Sequence, residues 1–181
     1  MAKPLLIVID MLEDFFQEGH LKSARAELTV NINRLIANAR RNGVPVLWVR
    51  QEFEPDLSDA FLAQRKQNQL VTIKGTAGVK ILEELDRQPA DLEVVKKRYS
   101  AFYKTNLDEI LASVQPSALI LAGVNTHACV RMTAIDAYQR DHEVIVVADC
   151  VASYDQVHHK VTLDYMNGRI CQVVELDELM L

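Results

Sequence analysis

The chain has 181 residues, of which 49% are hydrophobic and 25% charged, and its formal net charge is −5. This length predicts one domain, over residues 1–181, with a core of its own. An acidic balance without a basic stripe argues against a nucleic-acid partner. Three cysteines without a C-x-x-C spacing exclude a disulfide framework and a zinc knuckle, so the expected compartment is the reducing cytoplasm.

Apolar runs of strand length alternate with helical patterns along the chain. The first run, residues 5–9, indicates a strand buried on both faces and is too short for a signal peptide or a membrane span. Further strands are predicted at residues 46–49, 92–95, 118–122, 144–148 and 170–174. Helices are predicted at residues 26–42, 79–85, 107–111, 128–140 and 154–166, with a short one after Ser58. This alternation implies a doubly wound, mostly parallel α/β sheet with helices on both faces.

Two parts of the pattern are less regular than the rest. In the helix predicted at residues 154–166, Val157, Val161 and Tyr165 recur at helical spacing. Residues 50–78 show no clear period. A long connection of this kind is a candidate substrate lid or subunit contact, and equally a plain surface excursion.

Three chemically complementary residues, Asp10, Lys96 and Cys129, each follow a different predicted strand. Because the carboxyl ends of parallel strands meet at the edge where ligands bind, we expect the three side chains to converge. Cys129 also begins a helix, where unpaired N–H groups and the helix dipole favour a thiolate. Each residue has a plainer interpretation by itself: a turn residue, a solvated strand end and a core cysteine, respectively.

Together the three residues predict nucleophilic acyl transfer. The Cys129 thiolate would attack a carbonyl, with Asp10 as the base and Lys96 lowering the thiol pKa. The backbone N–H groups of Asn125 and Cys129 would form an oxyanion hole, in which one donor contributes about 3 kcal/mol. His127 suggests a Cys–His pair instead, but neighbours on such a turn point apart, which favours a place at the pocket rim.

Three blocks of sequence carry a resemblance to a known family. They are residues 5–11 with Asp14 and Phe15, residues 96–102, and residues 123–130. In these blocks the chain resembles the cysteine hydrolases of the isochorismatase-like superfamily.

The resemblance implies a fold, a site and an assembly. The fold is a six-stranded parallel sheet, and the site is an Asp–Lys–Cys triad at Asp10, Lys96 and Cys129, with a cis peptide bond before Asn125 that turns its N–H toward the oxyanion. The implied substrate-binding residues are Phe15, Gln51 and Phe102, with Arg98 and Tyr99 in support. The implied assembly is a homo-oligomer, either a dimer or a tetramer.

Departures from the family narrow the expected chemistry. Nicotinamidases of this superfamily carry an Asp-x-His metal site after the second strand, where this chain has residues 50–53 as Arg-Gln-Glu-Phe. No metal or other cofactor is therefore expected. Isochorismatases that cleave a vinyl ether often lack the cysteine, so Cys129 favours a small amide or ureido compound, cleaved through a thioester. The alternatives are vinyl ether hydrolysis, and a non-catalytic small-molecule binder or thiol sensor.

Overall fold

The computed structural model describes residues 2–181, which form one sheet of six strands with helices on both faces. The strands are β1 (Leu5–Ile9), β2 (Val46–Gln51), β3 (Leu92–Lys96), β4 (Leu119–Val124), β5 (Val144–Ala152) and β6 (Gln172–Val174). The helices are α1 (Gly19–Arg41), α2 (Leu62–Gln67), α3 (Leu107–Val114), α4 (Arg131–Tyr138) and α5 (Gln156–Met166). The strand order is β3-β2-β1-β4-β5-β6, and every pair is parallel, which confirms the predicted fold class.

The sheet has a separate apolar core on each face. Along β1, Leu6 and Val8 belong to the core beneath α1, whereas Leu5, Ile7 and Ile9 belong to the core beneath α3 and α4. Side chains alternate between the two faces of a strand, so a strand covered on both faces must be apolar at every position. This explains the uninterrupted run that predicted β1.

The two central strands, β1 and β4, define where a ligand can bind. From β1 the chain crosses to β2 on one side, and from β4 it crosses to β5 on the other. In open α/β sheets the crevice beyond the carboxyl ends at such a switch point is the usual ligand site. Gly123 near the end of β4 has a φ of 107°, and a Cβ there would overlap the carbonyl oxygen of Ile9. Glycine therefore allows β4 to reach this crevice against β1.

Two helices differ from the sequence prediction. Helix α1 begins at Gly19, not near residue 26. None of the helices within residues 2–181 is long and apolar enough to cross a bilayer. Residues 79–85 form no α-helix. A single 3₁₀ turn at Ala77–Val79 leads into a loop, in which the backbone N–H of Leu82 donates to the carbonyl of Met11 at 3.0 Å.

Helix α5 exists as predicted, but it presents the opposite face to the sheet. Val157, Val161 and Tyr165 are 71%, 55% and 48% exposed, whereas Thr162 and Met166 are buried. The apolar spacing therefore identified the helix correctly but marks its outer face.

Candidate active site

Asp10, Lys96 and Cys129 lie together at the carboxyl edge of the sheet. The Lys96 Nζ atom is 2.6 Å from Asp10 Oδ2 and 3.4 Å from Cys129 Sγ. The side chains of Asp10 and Lys96 are fully buried, and Cys129 is 3% exposed. Desolvated ions are stable only when they are paired, so this cluster holds its charges close to each other and to the thiol.

Asp10 follows β1 with a φ of 52°, a conformation that turns its carboxylate toward the neighbouring strands. Its Oδ1 atom accepts a hydrogen bond from the backbone N–H of Gln51 at 2.8 Å. Its Oδ2 atom has no well-aligned hydrogen-bond donor among residues 2–181, although it forms the ion pair with Lys96. One oxygen is therefore held in place, while the other keeps a lone pair for a further donor.

The protonation states of the cluster follow from its burial. Burial raises the pKa of Cys129 to about 12, although the Lys96 charge opposes this shift. Lys96 lowers the pKa of the thiol, as predicted, but desolvation outweighs this contribution and the net shift is upward. Burial lowers the pKa of Lys96, but Asp10 and Cys129 outweigh it and the net shift is upward. In the resting site an ammonium group thus stands between a carboxylate and a neutral thiol.

A tight turn between β4 and α4 presents Cys129. The Val124–Asn125 peptide bond is cis, as the resemblance implied, and residues Thr126–Val130 form one π-helical turn. The carbonyl of Asn125 accepts hydrogen bonds from the N–H groups of Ala128 and Val130 at 3.0 and 3.2 Å. The N–H of Asn125 itself donates to no residue in the described range 2–181. A buried N–H without a partner is rare and is available to a ligand here.

His127, next to this turn, is engaged elsewhere. Its Nδ1 atom lies 2.6 Å from Ser153 Oγ, and its Nε2 atom lies 3.3 Å from the hydroxyl of Tyr154. Burial lowers the pKa of His127, which keeps the ring neutral. Because both ring nitrogens contact hydroxyl groups, the geometry favours the rim position over a Cys–His pair.

Tyr99, for which the sequence suggested a supporting role, is 48% exposed and packs on the irregular segment 50–78. Burial raises the pKa of Tyr99, and a thiolate at Cys129 would add to this shift. The ring centroid of Tyr99 is 4.7 Å from that of Phe61, and Arg98 donates to the carbonyl of Asp59 at 2.8 Å. The irregular segment 50–78 therefore reaches the half-exposed mouth of the site. Tyr99 lies only three residues beyond Lys96, and that proximity is the sequence signal for it.

The three predicted substrate-binding residues occupy different positions. Gln51 ends β2, pairs with Lys96 in the sheet and is nearly buried. Phe15 is partly buried against the core beneath α1. Phe102 is buried in the core that also contains Cys129, with the guanidinium of Arg140 4.4 Å from its ring centroid. Of the three, Gln51 contacts the triad directly through its backbone. The substrate-binding roles of all three residues remain predictions.

The triad belongs to no cluster that could hold a metal ion among residues 2–181. No three histidine, cysteine, aspartate or glutamate side chains within residues 2–181 are arranged to hold a metal ion. A groove of about 840 Å³ lies under the loop of residues 75–89 and is lined by none of the triad residues.

Comparisons with known proteins agree on one family. The model of the isochorismatase domain matches residues 4–178. A probable inactive nicotinamidase from Arabidopsis thaliana is 33% identical over 90% of this chain and 87% of its own length. A ureidoacrylate amidohydrolase from Methylorubrum extorquens is 31% identical over 80% of this chain and 68% of its own length.

A solved structure extends this likeness to the fold. The N-carbamoylsarcosine amidase from Thermoplasma acidophilum superposes with a TM-score of 0.83 at 31% identity, over 98% of each chain. The sheet topology, the family model and these relatives lead to the same result. The chain belongs to the isochorismatase family of hydrolases.

Proposed function

We propose that this chain is a cysteine hydrolase that cleaves the C–N bond of a small amide or ureido compound. The observation that carries the proposal is the buried cluster in which Lys96 contacts both Asp10 and Cys129. A cysteine that only fills the core needs neither Asp10 nor Lys96 beside it. Burying two charges lowers stability or at best breaks even, so the pair is better explained by function than by stability. A thiol sensor would also have no need of a buried carboxylate beside the thiol.

The first half of the reaction forms a thioester. Because the resting thiol is neutral, it must lose its proton as it attacks, and the open Oδ2 lone pair of Asp10 is the acceptor for that proton. The Sγ–C bond forms, and the carbonyl electrons move to oxygen. The unpaired N–H of Asn125, with that of Cys129, stabilises this oxyanion. The C–N bond then breaks, and the protonated Asp10 returns its proton to the leaving nitrogen.

The second half regenerates the enzyme. Asp10, again a carboxylate, takes a proton from water, and the hydroxide oxygen attacks the thioester carbonyl. The C–S bond breaks, the acid is released, and the proton returns to sulfur. Throughout this cycle Lys96 stays an ammonium ion, since its pKa is raised, and it holds the carboxylate against the thiol.

The names of two relatives support the ureido class. They are an N-carbamoylsarcosine amidase and a ureidoacrylate amidohydrolase, and an N-carbamoyl group is a ureido group. The substrate is accordingly expected to be a small ureide or amide. We expect the active form to be a homo-oligomer, a dimer or a tetramer.

The test measures ammonia release from a panel of small ureides and amides by the wild type, Cys129→Ala and Cys171→Ala. The Cys171→Ala variant is the matched control, because it also removes a buried thiol. We expect one compound to be turned over by the wild type and the control, with a loss of about 10³-fold or more in Cys129→Ala. Hydroxylamine should divert an amide substrate to a hydroxamate and a ureide substrate to an N-hydroxyurea, and either product reports the acyl–sulfur intermediate.

Two results would overturn the proposal. Equal turnover of a vinyl ether by the wild type and Cys129→Ala would favour ether hydrolysis, which does not need the thiol. Binding of panel compounds without turnover by the wild type would favour a non-catalytic binder.

A further inference from the structure

The turn that carries Cys129 is held from one side by the end of β5. Val124 pairs with Ala152, so the segments that follow the two strands leave the sheet side by side. The side-chain Oδ1 atom of Asn125 accepts a hydrogen bond from the backbone N–H of Tyr154 at 3.2 Å. The segment after β5 therefore fixes the first residue of the turn, whose own N–H is the proposed oxyanion donor.

A contact from α5 fixes the next residue of the turn. Thr126 is fully buried, and its Oγ1 atom lies 2.9 Å from the Nδ1 atom of His159. A buried hydroxyl that loses its partner destabilises the fold, because its desolvation is then uncompensated. The contact therefore ties the turn to a helix that lies 33 positions further along the chain.

The position of His159 on α5 is itself well defined. Its backbone N–H donates to the carbonyl of Asp155 at 2.9 Å. The Asp155 carboxylate caps the helix by accepting the backbone N–H of His158, also at 2.9 Å. Burial lowers the pKa of His159, which keeps the half-buried ring neutral at neutral pH. A neutral ring in the capped first turn of a helix thus presents its Nδ1 atom to Thr126 at a fixed point.

We propose that His159 is a positioning residue for the hydrolysis. Acting through Thr126, it holds the turn so that the N–H of Asn125 and the Sγ atom of Cys129 face the same carbonyl group. A displacement of about 1 Å at such a site can lower the rate about 100-fold. This inference rests on the proposed function, because it gives His159 a part in the reaction at Cys129.

The alternative is that the contact between His159 and Thr126 stabilises the fold without affecting the reaction. Its loss would then lower the melting temperature, while each folded molecule kept its kcat. Positioning predicts that kcat falls in protein that is still folded. It also predicts that KM changes little, because the thiol and the oxyanion donors act in the chemical step and not in binding.

Steady-state kinetics with a compound that the wild type hydrolyses separates these two roles. We expect His159→Phe to lower kcat by about 10- to 100-fold, with KM within about two-fold of the wild type. His159→Asn, whose amide can take the place of Nδ1, should recover most of the lost rate. His142→Phe is the matched control and should keep the wild-type kcat. His142 is also half-buried, but it precedes β5, at the opposite edge of the sheet from the triad.

A double-mutant cycle tests whether His159 acts through Thr126. Thr126→Val removes the hydroxyl at nearly constant volume, and we expect it to lower kcat to a similar extent as His159→Phe. The double variant should be at most about three-fold slower than the slower single variant, because both substitutions break the same contact. Losses that multiply would overturn the proposal, since they would show that the two residues act independently.

Alkylation of Cys129 gives a readout that needs no substrate. A loosened turn should expose the buried Sγ atom, so His159→Phe should react with iodoacetamide several-fold faster than the wild type at neutral pH. His142→Phe should react at the wild-type rate. A wild type that hydrolyses no compound would contradict the proposed function. Equal labelling of His159→Phe and the wild type would then overturn the positioning role separately.

Where a compound is hydrolysed, the kinetics decide. The proposal is overturned if His159→Phe keeps the wild-type kcat, or if its rate falls only in proportion to the folded fraction measured by circular dichroism. It is also overturned if His159→Asn is as slow as His159→Phe. Thr126→Ser retains the hydroxyl and should keep most of the rate. Equal rates in Thr126→Ser and Thr126→Val would overturn the proposal even if His159→Phe does not fold.

Discussion

Lys96 and Asp10 form an ion pair of 2.6 Å from which solvent is excluded, and both side chains are fully buried. Mutual attraction in the interior only offsets the cost of removing two charges from water, so such a pair adds little net stability. Each buried charge nevertheless requires the other as its counter-charge, so removing one residue alone is costly. The stability of the fold and the chemistry at Cys129 can therefore be separated by substitution.

The first prediction concerns this pair. Lys96→Met leaves the Asp10 carboxylate buried without a counter-charge and should lower the free energy of unfolding by about 3–5 kcal/mol. Asp10→Asn should cost a similar amount. The double variant Asp10→Asn/Lys96→Met contains neither charge, so it should be more stable than the sum of the two losses implies, while hydrolysis stays abolished. Urea denaturation of the four proteins measures the coupling, and strictly additive losses would contradict it.

The second prediction concerns the thiol of Cys129. Its pKa is raised from 9.0 to about 12, so below pH 9 the native thiolate fraction should be about 10³-fold smaller than in the unfolded chain. Iodoacetamide labelling of the native protein, followed by peptide mass spectrometry, should find Cys129 slow at neutral pH and faster as pH rises. Rapid labelling that reaches a plateau below pH 9 would show that Lys96 outweighs burial.

The same shift has a consequence for stability. A thiol whose pKa is higher in the folded state holds its proton there after the unfolded chain has lost it. Its contribution is therefore complete below pH 9 and is lost as pH rises toward 12. Cys171, with its pKa raised by burial to about 11, acts in the same direction. The wild type should lose more stability between neutral pH and the alkaline range than the variant Cys129→Ala/Cys171→Ala.

The third prediction concerns Gly123. A side chain there would adopt a φ of 107° and overlap the backbone of Ile9, which cannot move without disturbing the pairing of β1 with β4. Gly123→Ala should therefore lower the free energy of unfolding by more than about 3 kcal/mol or prevent folding. Gly19→Ala is the matched control, because Gly19 also has a positive φ, 64°, but stands in open space. It should cost about 1–2 kcal/mol. Equal melting temperatures of the two variants would contradict the overlap.

The fourth prediction concerns Asp14, whose Oδ2 atom accepts the backbone N–H of Thr72 at 2.6 Å. Thr72 is buried with a φ of 54°, so this bond fixes the segment that reaches the mouth of the site. Asp14→Ala should lower the free energy of unfolding by about 1–3 kcal/mol. It should also speed amide hydrogen exchange in residues 53–78 and raise KM.

The control for the fourth prediction is Asp56→Ala. The Asp56 carboxylate accepts only within an exposed turn of the same segment, from the N–H of Ser58 at 3.0 Å. The Asp56→Ala variant should leave the rate of amide hydrogen exchange at residues 72–78 unchanged. If both variants exchange alike, Asp14 is not the anchor of the segment.

The strands and the triad were predictable from the sequence because each rests on a strong local signal. A strand buried on both faces must be apolar at every position, as residues 5–9 are. The carboxyl end of such a strand is then a definite place at which Asp10, Lys96 and Cys129 can meet.

The sequence predictions were wrong where contacts between distant segments decide the local structure. Val79, Leu82 and Leu85 are buried and spaced three apart, as on a helix, but each anchors a loop, and Ile81 pairs with Leu12 as an antiparallel bridge. The side of α5 that faces the sheet includes Thr162, whereas its valines face outward. The net pKa shift of Cys129 depends on how deeply it is buried, which sequence position does not reveal.

The sheet order described above also determines when the site can exist during folding. Lys96 and Cys129 lie 33 positions apart, and Asp10 is far earlier in the chain, yet β4 inserts directly beside β1 with Leu5 paired to Leu119. Contacts between such distant segments form late, because a large loop must close first. A chain that has assembled only β1 to β3 holds Asp10 and Lys96 without the thiol. The proposed active site can therefore be complete only once β4 has paired with β1.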